Sequence, residues 1–387
     1  MPRLALIVWL LLIGRWTLTP APGATAAAQF TPWWCISCGE IGTADLLQNL
    51  LLFLPAGLLL RTMRWSAPRT ILGGLVATLA IEFLQAAFLP GRDAALGDVL
   101  ANLAGTAGGW MLLPTLGAIV APTARTANRL AAITLVTFAG QLLLSAQLLR
   151  PSPGEADWIV ERAPRHRDGT QWSGGVGLVS LDRVGDTVAF VTTTEWPASP
   201  PDRRATVARL TRGPGDDVAG ISVARDAVSA GIRTRATTVR LRSPVGQIVL
   251  PPLAPGDTLT VRLTHWPGQL MLSGASASGE TRSASVPIGA QHGWVLINPF
   301  TPTVELPGSW ERWTYAWLTG WGVLLGFGAG ASRRWVWWAL GGAAVGLGIP
   351  WLTGTPLEPS EVAVLAAAWA ISASGGRMRR RGHPELE

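Results

Sequence analysis

The sequence predicts a polytopic α-helical membrane protein of about eight transmembrane helices with an inserted all-β sandwich domain. Three observations carry this: apolar residues are gathered into long runs, charged residues make up only 14% of the chain, and arginines outside one polar block sit mostly at alternate run ends. A soluble protein would carry about a quarter charged residues. The basic side chains other than four histidines are all arginine, and the formal net charge is +7. These arginines form no basic stripe interleaved with aromatics, so nucleic acid is not expected as a partner.

A helix needs about 20 mostly apolar residues to span a bilayer. Residues 4–20, 46–62, 70–89, 98–119, 130–149, 313–331, 335–353 and 359–374 come near that length. The first run admits two readings. A basic start, a short apolar core and the small residues of "APGATAAAQF" fit a cleavable signal peptide. An uncleaved helix is the favoured reading, since the run from Leu4 to Thr19 can span once Arg15 snorkels to the outer interface. The later topology is the same in both. Arg61, Arg64 and Arg69 follow the second run, Arg125 and Arg129 the fourth, Arg333 and Arg334 the sixth, and "RMRRR" the last. Positive residues collect on the cytoplasmic side, so both termini are expected there. Trp33, Trp34, Trp65, Trp310, Trp313, Trp335, Trp337 and Trp338 fall near the expected boundaries, where indole rings favour the headgroup layer.

The expected division is a five-helix bundle over 1–150, an extracytoplasmic β-sandwich over 151–309, three helices over 310–376 and a basic cytoplasmic tail over 377–387. In the middle block, "TVAFVTTT" (187–194), "ATVARLTR" (205–212), "TTVRLRS" (237–243), "GQIVL" (246–250) and "TLTVRLTH" (258–265) alternate, separated by Gly, Pro and Asp clusters. That spacing predicts strands of a sandwich or jelly roll. Leu259, Val261 and Leu263 are expected on one face, with Thr260, Arg262 and Thr264 on the other. The strand, "HWPGQL", strand and "HGWVLINPF" order resembles the laminin-G or concanavalin A-like group. That resemblance implies glycan binding, with Trp266 and Trp294 as stacking candidates and core packing as their alternative role.

Polar residues interrupt the apolar runs at one place. "DLLQNLLLFLPAG" (45–57) and "DVLANLAGTAGG" (98–109) share an Asp-x-Leu-x-Asn-Leu opening. Asp at i and Asn at i+4 lie on one helical face. Between them, "IEFLQAAFLPGRDAALG" places Glu82 and Gln85 in the last turns of one helix and Arg92 in a short outer loop. Asp45, Asn49, Glu82, Gln85, Arg92, Asp98 and Asn102 are therefore expected at one depth near the outer surface. An unpaired carboxylate there is costly, so Glu82 must pair, protonate or line a wet cavity. The structural alternative makes Asp45 and Asp98 N-caps and the amides interhelical hydrogen-bond partners. Pro55 is expected to kink its helix, and "GTAGG" (105–109) to permit close helix packing.

At these residues the sequence resembles the VanZ-like membrane family: Asp45, Asn49, Phe53, Pro55, Gly57, then Glu82, Gln85, Gly91, Arg92, then Asp98, Asn102 and Gly105. The resemblance covers roughly residues 5–150 and implies a cell-envelope protein of a group linked to glycopeptide resistance. It implies no cofactor. The expected partner is a membrane lipid or lipid-linked cell-wall precursor, with a glycan or protein engaged by the outer domain. Two other classes stay open: an enzyme using Glu82 or Asp98 as general base, and a transporter. Neither a nucleophile nor a metal-ligand cluster is evident. Cys35 and Cys38 in "WWCISCGE" suit a disulfide or free thiols in an oxidising setting rather than redox catalysis, because no thioredoxin-like context surrounds them.

Overall fold

A computed structural model describes residues 2–19, 32–37, 41–89, 94–120, 122–154, 157–165, 170–213, 216–250, 252–298, 304–305 and 309–382. The chain forms two compact units, residues 1–120 and 121–387. Eight helices and eleven strands are found among the described residues.

The first unit holds α1 (Pro2–Thr17), α2 (Gly42–Thr62), α3 (Ala67–Phe88) and α4 (Leu96–Val120). α3 starts at Ser66-Ala67-Pro68, where proline needs no backbone N–H, and its last carbonyls are met by Leu89. Its faces are inverted relative to a soluble helix. Thr70, Gly74, Thr78, Glu82 and Gln85 are buried, whereas Leu72, Val76, Leu79 and Phe83 are exposed. A helix bathed in lipid has this distribution, since hydrocarbon accepts the apolar face and only the protein interior satisfies the polar one.

α2 and α4 meet through glycine. A Cβ on Gly57 would fall on the Thr106 carbonyl oxygen, one on Gly105 on that of Leu50, and one on Gly109 on that of Leu54. The pairs Leu50–Gly105 and Leu54–Gly109 rise together along both helices, so α2 and α4 run parallel. This is the close packing expected of "GTAGG". α2 continues through Pro55 as one helix, and Arg61 in its last turn lies 3.7 Å above the Trp110 ring.

The second unit begins with α5 (Ala124–Leu148), whose Thr123 hydroxyl accepts the Thr126 N–H as an N-cap. α5 was grouped by sequence with the first four helices. It instead packs against α6 (Ser309–Ala331), α7 (Trp335–Leu352) and a 3₁₀ turn at Ala290–Ile297. Asn128 explains part of this: its Oδ1 accepts from Ser332 Oγ at 2.6 Å and from Trp338 Nε1 at 3.0 Å. The last helix, α8 (Pro359–Gly382), continues beyond residue 376 into the basic residues. It pairs with α6 as α4 does with α2: Cβ atoms on Gly326 and Gly330 would meet the carbonyl oxygens of Trp369 and Ala373. This register also rises in parallel.

α2, α3, α4, α5 and α7 are long and apolar enough to cross a membrane. The eight apolar runs thus fall on eight helices, but α1, α6 and α8 do not reach that standard. α1 has 16 residues, about 24 Å at 1.5 Å per residue against a hydrocarbon core of about 30 Å. α6 opens with Glu311 and Arg312, and α8 is rich in Ala, Ser and Gly before its arginines.

The β region is a two-layer sandwich. One sheet has the order β1 (Ile159–Arg162), β4 (Ala205–Thr211), β5 (Asp217–Ala224), β6 (Ala227–Ile232), β7 (Val245–Val249), β11 (Val304–Glu305). The other has the order β10 (Thr281–Ile288), β9 (Gly268–Ser276), β8 (Thr258–Trp266), β3 (Thr187–Glu195), β2 (Val176–Val184). Pairing is antiparallel except β11 on β7. Phe190, Ile221, Val228, Ile248, Leu259, Leu263 and Leu272 fill one core between the layers. β8 alternates as its sequence predicts, with Leu259, Val261 and Leu263 inward, and the same period buries His265.

One expected strand is absent. Residues 237–243 fall on a 3₁₀ turn, Arg235–Val239, followed by Arg240 at φ +55°. Val239 is exposed there while Leu241 packs against the sandwich core, so the two apolar residues of this alternation do not share one buried face.

Candidate functional site

In the first unit, three helix ends bring part of the predicted cluster together. Asp98 lies in the first turn of α4, and Asn49 Nδ2 of α2 donates to its Oδ1 at 2.6 Å. Glu82, buried near the end of α3, accepts the Ala95 N–H at 3.1 Å on Oε2. Ala95 stands three residues before Asp98, so both carboxylates attend the start of α4. The Asp/Asn repeat therefore works across helices: Asn49 serves the aspartate of the other copy.

The remaining predicted residues sit around this centre. Asn102, one turn below Asp98, is buried and donates from Nδ2 to Thr78 Oγ1 at 2.8 Å, while its Oδ1 has no hydrogen-bond partner. Gln85 turns toward α1 and donates to the Thr17 carbonyl at 2.8 Å. Asp45 is half-buried in the first turn of α2. Neither aspartate is an N-cap: α2 is preceded by Ile41, and Asp45 and Asp98 lie inside their helices, where the positive helix end still favours a carboxylate. Arg92, with Asp93, lies outside the described residues.

A short segment covers the start of α4. The Trp33 carbonyl accepts the Leu96 N–H at 2.7 Å, and the Cys35 carbonyl accepts the Gly97 N–H at 2.9 Å. These are two of the first-turn donors that a helix leaves unsatisfied. A Cβ on Gly97 would strike the Ile36 carbonyl oxygen, so only glycine admits this approach. Cys35 is disulfide-bonded. Cys38, the other cysteine of the chain, lies outside the described residues.

Sequence reasoning missed Thr78 and Thr106, the buried hydroxyls of this seam. Thr106 Oγ1 donates back to the Asn102 carbonyl at 2.9 Å, and its side chain fills the space beside Gly74. The signal was the four-residue spacing of Thr70, Gly74, Thr78 and Glu82 on one face of α3.

In the second unit, Trp294 is buried, donates from Nε1 to Thr314 Oγ1 at 3.1 Å and packs edge-on against Trp310. It is a packing residue, not a sugar-stacking platform. Trp266 is half-buried at the end of β8. Behind Trp310 stands a buried polar group that was not singled out in the sequence. His292 Nε2 lies 3.7 Å from Glu361 Oε1, and Gln291 Nε2 donates to Glu361 Oε2 at 3.3 Å. Among the described residues, no three His, Cys, Asp or Glu side chains converge as ligands for a metal ion.

Residues 7–117 match the VanZ/LLP1 family model. The match takes in all four helices of the first unit and leaves the sandwich and α5–α8 outside it. No curated protein and no solved structure matches the chain.

Proposed function

We propose that this membrane protein, whose residues 7–117 are a VanZ/LLP1-family region, binds the headgroup of a lipid or lipid-linked cell-wall precursor at the outer leaflet. The observation that supports it most is the meeting of Asn49, Asp98 and Glu82 at the adjoining ends of three helices whose other faces are apolar. A headgroup phosphate would be taken by Arg92, whose guanidinium matches phosphate oxygens bidentately. Asp98 and Glu82 would orient that guanidinium, and Asn49 and Asn102 would serve sugar or phosphate oxygens. In this reading the arginine-rich helix ends face the cytoplasm with both termini, and the sandwich faces outward, where it engages glycan or protein.

Lipid recovered with the purified protein tests this. Mass spectrometry of wild type and Arg92→Ala is expected to show at least about a fivefold loss of phosphate-bearing lipid in the variant, a lost charge-assisted contact being worth at least ~1 kcal/mol. Equal recovery from both would sink the proposal. A second reading is favoured by the nearness of two carboxylates: an enzyme in which Glu82 or Asp98 acts as general base on a lipid-linked substrate. Turnover that survives Glu82→Gln and Asp98→Asn would remove those residues from any such chemistry.

A further inference from the structure

The second unit carries a group of arginines that the proposed function does not use. Residues 233–243, "RTRATTVRLRS", hold four arginines and no carboxylate. They follow β6 and include the 3₁₀ turn Arg235–Val239. Three bonds fix this segment against its neighbours. The Arg235 N–H donates to the Arg150 carbonyl at 3.0 Å, just past the end of α5. The Arg235 guanidinium donates from Nη1 to Gln147 Oε1 at 3.2 Å, in the last turn of α5. The Arg242 N–H donates to the Leu296 carbonyl at 3.2 Å, in the 3₁₀ turn that packs on α5.

Those bonds set the depth of the segment. α5 is long and apolar enough to cross a membrane over Arg125–Leu148. Leu143 and Leu144 are exposed on it, and Gln147 stands four and three residues further on, also exposed and on the same face. At about 1.5 Å per residue, Gln147 lies about 5 Å beyond these lipid-facing leucines. The guanidinium bonded to it therefore stands in the headgroup layer. This holds for whichever leaflet adjoins the sandwich.

Some of the cations here are already matched. Arg233 pairs with Asp216, and Arg150 stands 4.0 Å from Asp186. Arg235 and Arg240 are exposed, and among the described residues neither pairs with a carboxylate; the side-chain partner of Arg235 is the neutral Gln147 amide. Arg240 holds φ +55°, a conformation that residues other than glycine seldom adopt, so an arginine is kept where the backbone disfavours it. Beside it Val239 is 46% exposed, while Ala236 in the same turn is fully buried. The turn thus sets its small residue into the sandwich and offers one apolar and two cationic side chains away from the core.

We propose that Arg235, Arg240 and Val239 form a contact for an anionic phospholipid of the adjoining leaflet. The two guanidinium groups take its phosphate, which they match in geometry as well as charge, and the valine meets its glycerol and upper acyl carbons. A zwitterionic lipid suits the place less well, because its ammonium would be brought against arginines that no carboxylate offsets.

Native mass spectrometry of the delipidated full-length protein, titrated in detergent with phosphatidylglycerol or phosphatidylcholine, tests the contact. Arg92→Ala protein is the background throughout, which removes the phosphate ligand proposed for the first unit and lets the two proposals fail separately. At its tightest site the background protein is expected to bind phosphatidylglycerol at least about fivefold more tightly than phosphatidylcholine. Arg240→Gln should weaken phosphatidylglycerol about fivefold, and Arg235→Gln with Arg240→Gln about 25-fold, with phosphatidylcholine unchanged. Arg225→Gln with Arg282→Gln removes the same charge from exposed positions on other turns and strands of the sandwich, and should leave both affinities as they are. Arg240→Gln breaks no described contact, so its thermal midpoint in phosphatidylcholine should match the background, which separates lost binding from lost folding. Equal affinity for the two lipids, or a loss no greater in the Arg235/Arg240 variant than in the Arg225/Arg282 variant, would overturn the proposal.

Discussion

Gly109→Ala should destabilise the first unit by roughly 3 kcal/mol, the upper end of what over-packing costs, while Gly108→Ala in the same helix should leave it unchanged or more stable by about 0.5–1 kcal/mol. The two substitutions add the same methyl group one residue apart. At 109 the new Cβ meets the Leu54 carbonyl oxygen and the Leu58 backbone nitrogen; at 108 it meets nothing within 4 Å. The Leu54 carbonyl cannot move aside as a flexible side chain would, so α2 and α4 must separate. Separation weakens the contacts at Gly57 and Gly105, which belong to the same seam. Without a hydrophobic drive between helices in lipid, that close contact is most of what holds the pair. The folded fraction after mild heating in detergent, read by size exclusion, checks the pair. Equal losses for both variants would show that helix propensity, not the seam, is being measured.

Acidification should destabilise the sandwich, and His265→Leu should remove much of that sensitivity. His265 lies in the core at 1% exposure with no partner for Nδ1, and burial lowers it from 6.5 to about 4. In the unfolded chain it takes up a proton near its ordinary value, whereas in the folded chain it does not. The unfolded state then binds more protons across that window. Stability is therefore full above about pH 6.5 and falls as pH drops toward 4. The shift is worth roughly 3 kcal/mol for this residue. His292, lowered to about 3, adds to the loss and extends it further into acid. Hydrogen exchange of β3, β8 and β9 in the full-length protein at pH 7.5 and 4.5 reads the effect. Protection that is equal at both pH values, or an acid loss unchanged in His265→Leu, would contradict it.

Helix positions were legible because an apolar run of spanning length has few other uses, and the sandwich was legible because period-two burial shows in segments such as 258–265. Its continuation to His265 was there to be read as well. Tertiary partners were not. The Asp-x-Leu-x-Asn openings marked Asn49 and Asp98 as related, but only the parallel contact of α2 with α4 shows that they bond to each other. Thr78 and Thr106 escaped notice because a hydroxyl inside an apolar run is common and its value depends on what faces it. α5 was grouped with its sequence neighbours, since nothing local to it announces that Asn128 will bond Ser332 and Trp338 some two hundred residues on. Segment 237–243 misled because alternation alone does not show which apolar residues reach the core: Leu241 does and Val239 does not. His292 and Glu361 lie far apart in the chain, and neither sits in a motif.

The two parallel glycine seams also set an order of assembly. Parallel partners cannot be consecutive crossings, because the chain must return before it can run the same way again. α2 therefore waits for α3 and α4 before Gly57 finds the Thr106 carbonyl, and α6 waits for α7 and α8 before Gly326 and Gly330 find Trp369 and Ala373. During synthesis each first partner spends that interval without the helix that fills its small-residue groove. For α6 the interval begins only after the whole sandwich has emerged. Glu361 at the head of α8 can accept the Gln291 amide only once this last described helix has arrived.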